Sequence, residues 1–134
     1  PGEKEEDFNV LIDFVKEVRF DRLGVFTYSD EEGTYAAENL EDNIPDKVKQ
    51  ERYDKVMMIQ QEISLEKNKA LIGAEDVIVI DKSSKDEGWS IGRSYRDAPE
   101  IDNYVRLDEY ISEGKFINIE YVDAFEYDLL AKRV

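Results

Sequence analysis

Chemistry in this chain has few side chains to draw on. Its 134 residues contain no cysteine and no histidine. That removes disulfides, thiolate-ligated zinc and iron–sulfur centres, cysteine nucleophiles and histidine general bases. Carboxylates, hydroxyls, Tyr and Lys remain. Asp30, Glu31 and Glu32 are three adjacent carboxylates. A hydrolase needs two at a defined separation with divergent pKa values, so three in a row read instead as a solvated loop. Asp81–Gly88, DKSSKDEG, follows a calcium loop only in part. Lys85 stands at the fifth position, Asp86 at the sixth where Gly is required, and no Glu follows at the twelfth. It reads as a hairpin turn. No Gly-rich phosphate cradle and no G-x-S-x-G elbow occurs.

The densest group of functional side chains is Gly88–Tyr104, GWSIGRSYRDAPEIDNY, which holds the only Trp, two Arg and several acids around Pro99. Hydrophobic alternation stops inside this stretch and resumes after it, as expected of a working loop at a barrel rim. Arg93, Tyr95, Arg96, Asp97, Glu100 and Asp102 form the candidate substrate-docking surface. Two readings stand side by side. The arginines pair with the loop's own acids and stiffen it, or they leave the acids oriented towards a basic ligand. Trp89 and Tyr104 either pack in the barrel or, with Tyr95, stand outward as a stacking surface for bases.

The elements that must position this loop differ along the chain. Phe8, Leu11, Ile12, Val15 and Val18 follow helical spacing behind Glu5, Glu6 and Asp7, which favour a helix N-terminus. This predicts a helix over about 5–19, with Phe14 widening its apolar face. Asp21–Tyr28, DRLGVFTY, reads as a strand buried on both faces, as in a parallel α/β sheet. Its missing neighbours imply a truncated barrel whose unpaired edge invites self-association. Residues 29–45 read as an acidic loop. Pro45 or Asp46 opens a long helix to about residue 70, with Val56, Ile59, Ile63 and Ala70 on one face and Tyr53 and Met57 widening it. From residue 75 the period becomes two. Asp76–Asp81, Trp89–Ser94, Tyr104–Leu107, Lys115–Tyr121 and Phe125–Ala131 predict five strands, enough for a small closed OB-like barrel.

Formal net charge is −15. Residues 1–70 hold 18 acids against 10 bases, and residues 71–134 hold 15 against 8, so no basic domain hides behind the average. Nucleic-acid binding relies on Lys and Arg to displace phosphate counterions, which makes RNA an unfavoured partner and a basic protein a favoured one. Acidity that serves only solubility is the plainer alternative. No apolar run approaches the ~20 residues of a membrane span. The N-terminus is acidic rather than signal-like, so a cytoplasmic setting is expected. The only methionines are Met57 and Met58, and a fragment is expected.

Three stretches carry a family resemblance: FDRLGVFTYSDEEGTYAAE at 20–38, QQEISLEKN at 60–68 and GRSYRDAPEID at 92–102. In this order they resemble the C-terminal part of the RimO family of ribosomal-protein methylthiotransferases. The sister MiaB family, which acts on tRNA, shares the Y-S-x-x-x-G-T-x-A-A pattern present at Tyr28–Ala37 but lacks the DAPEID loop found at Asp97–Asp102. The resemblance implies an α+β chain in three parts. Residues 1–45 would be the end of a radical-SAM α/β barrel, 46–70 a connecting helix, and 71–134 a five-stranded TRAM barrel. It implies a parent enzyme that methylthiolates an aspartate of the small-subunit ribosomal protein numbered twelve, using S-adenosylmethionine and two iron–sulfur clusters. Gly2, Glu3 and Tyr28 would then lie near the adenosylmethionine site. The C-x-x-x-C-x-x-C motif is missing here, so this fragment is expected to hold no cluster, metal or catalytic residue and to serve in docking. The alternative is an RNA-binding TRAM module.

Overall fold

The computed structural model describes residues 1–101 and 103–134, which form two compact units, Pro1–Gln60 and Gln61–Val134. In the first unit, helix α1 spans Glu5–Val18. The Asp7 carboxylate accepts the Lys4 backbone N–H at 2.8 Å, satisfying one of the donors a helix start leaves free. Phe8, Ile12 and Val15 are the buried stripe, whereas Leu11 and Val18 of the expected face stay exposed, as does Phe14. The helix stops at Arg19, whose φ of 52° is left-handed and whose N–H returns to the Val15 carbonyl.

Two expectations for this unit are corrected. Residues 21–28 form no strand, and Phe26 is 93% exposed. A strand is stabilised by its neighbours' ladder, and among the described residues of this unit no second strand exists to supply one. The expected loop 29–45 contains a short helix, α2, over Tyr35–Asn39. Thr34 caps it: its hydroxyl donates to the Glu31 carbonyl and accepts the Ala37 N–H.

Helix α3 spans Asp46–Lys69, and the Pro45 carbonyl accepts the N–H groups of Val48 and Lys49. Its buried positions are Val56, Gln60, Ile63, Ser64 and Asn68, so the face is half polar. Ala70 lies beyond the helix and is exposed, against expectation. In the first unit the Gln60 amide donates to the Phe20 carbonyl at 2.8 Å. In the second, the Asn68 amide donates to the Phe125 carbonyl at 2.9 Å. Hydrophobic periodicity is blind to both. Among the described residues no helix is long and apolar enough to cross a membrane.

The second unit is a closed barrel of β1 (Glu75–Ser84), β2 (Trp89–Arg93), β3 (Val105–Leu107), β4 (Phe116–Ala124) and β5 (Leu129–Arg133) in the order β1-β2-β3-β5-β4. All pairings are antiparallel except β3 with β5. The α+β class with a five-stranded OB-like barrel is therefore as the sequence implies. Ile78, Ile80, Val105, Leu107, Ile119, Tyr121, Leu129 and Ala131 face inward at period two. Ser90 is wholly buried, its hydroxyl donating to the Glu109 carbonyl and accepting the Ile111 N–H, each at 2.8 Å.

The fifth strand begins later than its alternation suggests. Phe125–Asp128 makes the reversal between β4 and β5, closed by the Phe125 N–H on the Asp128 carbonyl, and Phe125 and Tyr127 stay outside. A bulge between Tyr121 and Asp123 shifts the register just before it. Phe125, Tyr127 and Leu129 mimic a strand because a short turn with outward aromatics has the same period.

Gly92 of β2 lies tight against the β1 backbone: an added Cβ would lie 2.2 Å from the Val79 carbonyl oxygen. The obstacle is backbone, so no rotamer change relieves it. Gly92→Ala is expected to cost about 1–3 kcal/mol as an overpacking change, read as a lower melting midpoint of the chain. An unchanged midpoint would contradict this packing.

Candidate docking site

After β2 ends at Arg93 the chain leaves the barrel from Ser94, and it rejoins at β3 from Val105. The start of this loop is folded around buried polar groups. The Ser94 N–H and hydroxyl both donate to one Asp97 carboxylate oxygen, at 3.2 and 2.8 Å, and the Ser94 hydroxyl accepts the Arg96 N–H. The Asp97 N–H closes the turn on the Ser94 carbonyl. Ser94 and Asp97 are both buried. A carboxylate at the last position of a tight turn competes with water for these donors and wins because it is covalently close.

A second anchor comes from the barrel. The Arg96 guanidinium donates to an Asp76 carboxylate oxygen at 2.7 Å, and the Tyr121 hydroxyl donates to the same oxygen at 3.0 Å. The other Asp76 oxygen accepts the Val77 N–H. Burial pushes the Asp76 carboxyl up, but the hydrogen bonds from Val77, Arg96 and Tyr121 outweigh it and hold it below its ordinary value. Burial, then the bond to Asp76, pushes the Tyr121 phenol up to about 12.

The candidate residues therefore divide. Asp97 points into the turn and Arg96 is engaged by Asp76, with its guanidinium 4.4 Å from the Tyr95 ring centroid. Arg93 pairs with Asp81 at 3.1 Å. Tyr95 and Ile101 are 80% and 82% exposed, and Glu100 between them is exposed with a left-handed φ of 61°. Such a conformation costs a non-Gly residue energy and recurs at functional loops. Asp102 lies outside the described residues. The sequence analysis missed Ser94, Asp76 and Tyr121. The Ser94–Asp97 spacing is a local turn signal, but Asp76 and Tyr121 are 20 and 45 residues from their partners and carried none.

Trp89 of β2 is half-buried on the outer face, because Ser90 and Gly92 take the inward positions, and Tyr104 just before β3 is exposed. The Trp89 indole N–H donates to the Glu87 carboxylate, and Arg106 pairs with Asp108. Trp89 and Arg106 are thus each bonded to an acid, whereas Tyr95 stands exposed against Arg96.

Gly2, Glu3 and Tyr28 lie in the first unit. Glu3 and Tyr28 line a cavity of about 160 Å³ with Phe8, Asp42 and Arg52. Ligand pockets occupy roughly 300–1,000 Å³. The Glu3 carboxylate is taken by Arg52 at 2.6 Å, the Tyr28 hydroxyl by Asp30 at 2.8 Å, and the Gly2 N–H by Asn43. Lys49 pairs with Asp42 beside the Tyr28 ring. As they stand, these residues do not fit S-adenosylmethionine by themselves. With no cysteine in the chain, nothing fits an iron–sulfur cluster either.

The Asp76 geometry sets a pH dependence. A carboxyl held below its unfolded value stabilises above that value and loses its contribution as pH falls through the folded one. Asp76→Asn is expected to cost about 1–2 kcal/mol at pH 7, since the pair is partly open to water. The difference from the unaltered chain should shrink as pH falls below about 4. Denaturant melts at several pH values check this, and a difference independent of pH would contradict it.

Comparison with known proteins bears on what this architecture serves. Residues 72–134 match the TRAM domain family. Across its length the chain is similar to proteins named ribosomal protein uS12 methylthiotransferase RimO. It is 46% identical to that of Psychrobacter arcticus, over 98% of this chain and 25% of the relative. It is 48% identical to that of Bacteroides thetaiotaomicron, over 98% and 30%, and 47% identical to that of Carboxydothermus hydrogenoformans, over 96% and 30%. The chain thus spans a quarter to a third of these relatives. It belongs to the RimO methylthiotransferase family, as a C-terminal part that carries the TRAM domain.

Proposed function

We propose that this chain is the substrate-docking part of a radical-SAM methylthiotransferase that modifies an aspartate of the basic ribosomal protein uS12. The relatives' name supports the substrate. The observation that carries the docking role is the anchored, outward loop at 94–104 on a barrel with 15 acids against 8 bases. The chain supplies no cysteine thiolate, so in this reading cluster ligation rests on other parts of the parent enzyme. A ribosomal substrate makes the cytoplasm its place of work.

Electrostatics favours a protein over RNA at this loop. The Debye length is about 8 Å at physiological ionic strength, so only charge near the contact matters. Glu100 is exposed at the loop, and Asp102 is two residues away in sequence. RNA would be held by stacking worth roughly 1–3 kcal/mol per base against that repulsion. The chain is therefore expected to bind uS12 in a salt-sensitive manner and tRNA weakly. A titration at physiological salt in which tRNA binds more tightly than uS12 would overturn this reading and make the chain an RNA-binding module.

A further inference from the structure

The residues whose charges suggest docking are not the ones the loop presents. Asp97 is 8% exposed and spends a carboxylate oxygen on two donors of Ser94. Arg96 bridges the loop to Asp76, and through that oxygen to Tyr121 inside the barrel. Among the described residues of the loop, Tyr95, Ala98, Pro99, Glu100, Ile101 and Tyr104 are exposed, and Tyr95 and Ile101 are the large apolar side chains most open to solvent. Two large apolar side chains more than three-quarters exposed, on one short loop, are costly to leave in water and typical of binding anchors.

We infer that Tyr95 and Ile101 are the contacts by which this loop grips a basic polypeptide, while Arg96 and Asp97 are positioning residues that keep the loop in shape. The inference rests on the docking reading above and names which side chains do the work. The occupant follows from the charges. Glu100 lies between the two anchors in sequence and is exposed, and the barrel carries an acidic excess. A partner surface with an apolar depression rimmed by Lys or Arg complements both features. The Arg96 guanidinium covers one face of the Tyr95 ring at 4.4 Å, which limits the ring's freedom before binding. A loop held in this way loses less entropy on association than a loose one.

The two roles separate by substitution in the whole 134-residue chain. Tyr95→Ala and Ile101→Ala remove exposed side chains, so the melting midpoint should not move, while affinity for uS12 should fall roughly tenfold for each. At position 97 the roles predict opposite patterns. If the carboxylate is an internal acceptor, Asp97→Asn keeps an oxygen for Ser94 and should bind nearly as the unaltered chain, whereas Asp97→Ala should lose both binding and protection of the Ser94 amide. If Asp97 instead meets a cation of the partner, Asn and Ala weaken binding equally, and the inference is overturned. Unaltered affinity in the double variant Tyr95→Ala/Ile101→Ala overturns it as well, leaving the docking reading intact. Loss of tRNA binding but not of uS12 binding in that variant would make the loop an RNA contact. Absence of uS12 binding by the unaltered chain overturns both the inference and the reading beneath it.

Discussion

One carboxylate oxygen of Asp76 accepts hydrogen bonds from both Arg96 and Tyr121, at 2.7 and 3.0 Å. It ties the start of β1, the loop after β2 and the interior of β4 into one network. A barrel of this size buries a small core, and it cannot fix an eleven-residue excursion by apolar packing alone. Charge-assisted hydrogen bonds at the rim are the available means. The Asp76–Arg96 pair is half-buried, its side chains 15% and 29% exposed. The interaction is therefore stronger than a surface ion pair, and the desolvation cost is less than for a fully buried one.

Neutral polar side chains serve the same end where chain segments lack a ladder. Asn68 on α3 holds the Phe125–Asp128 reversal by its carbonyl, and Gln60 holds the Phe20 carbonyl in the first unit. Ser90 fastens the stretch before β4 from inside the barrel. In each case a buried side-chain amide or hydroxyl takes the place of a missing backbone partner, which keeps main-chain polar groups from being stranded. The fold is thus an ordinary apolar barrel whose irregular parts are pinned by single polar residues.

This explains what could be read from sequence. The barrel was legible because Ile78 and Ile80, or Ile119 and Tyr121, alternate with polar neighbours. Helix α1 was legible from its acids and its Phe8–Ile12–Val15 stripe. Asp21–Tyr28 misled because apolar, β-branched content signals a strand only when a ladder is present to pair with it. At Phe125–Asp128 a turn imitated strand alternation. For the candidate site, the place was visible but not the roles. Arg96 and Asp97 drew notice through charge, and only the fold reveals that Asp76 and Ser94 have claimed them. Ile101 carries no charge or spacing that marks it in the sequence, and its 82% exposure is visible only in the fold.

A docking element that is shaped before its partner arrives must be rigid in the free chain. Amide hydrogen exchange on the unbound protein at neutral pH tests this most directly. The Ser94 N–H is bonded to the buried Asp97 carboxylate and the Arg96 N–H to the Ser94 hydroxyl. The account predicts that both exchange as slowly as the amides of β2, and that both lose protection in Asp97→Ala. Exchange of these two amides at the rate of an unstructured segment, while the barrel strands stay protected, would contradict it.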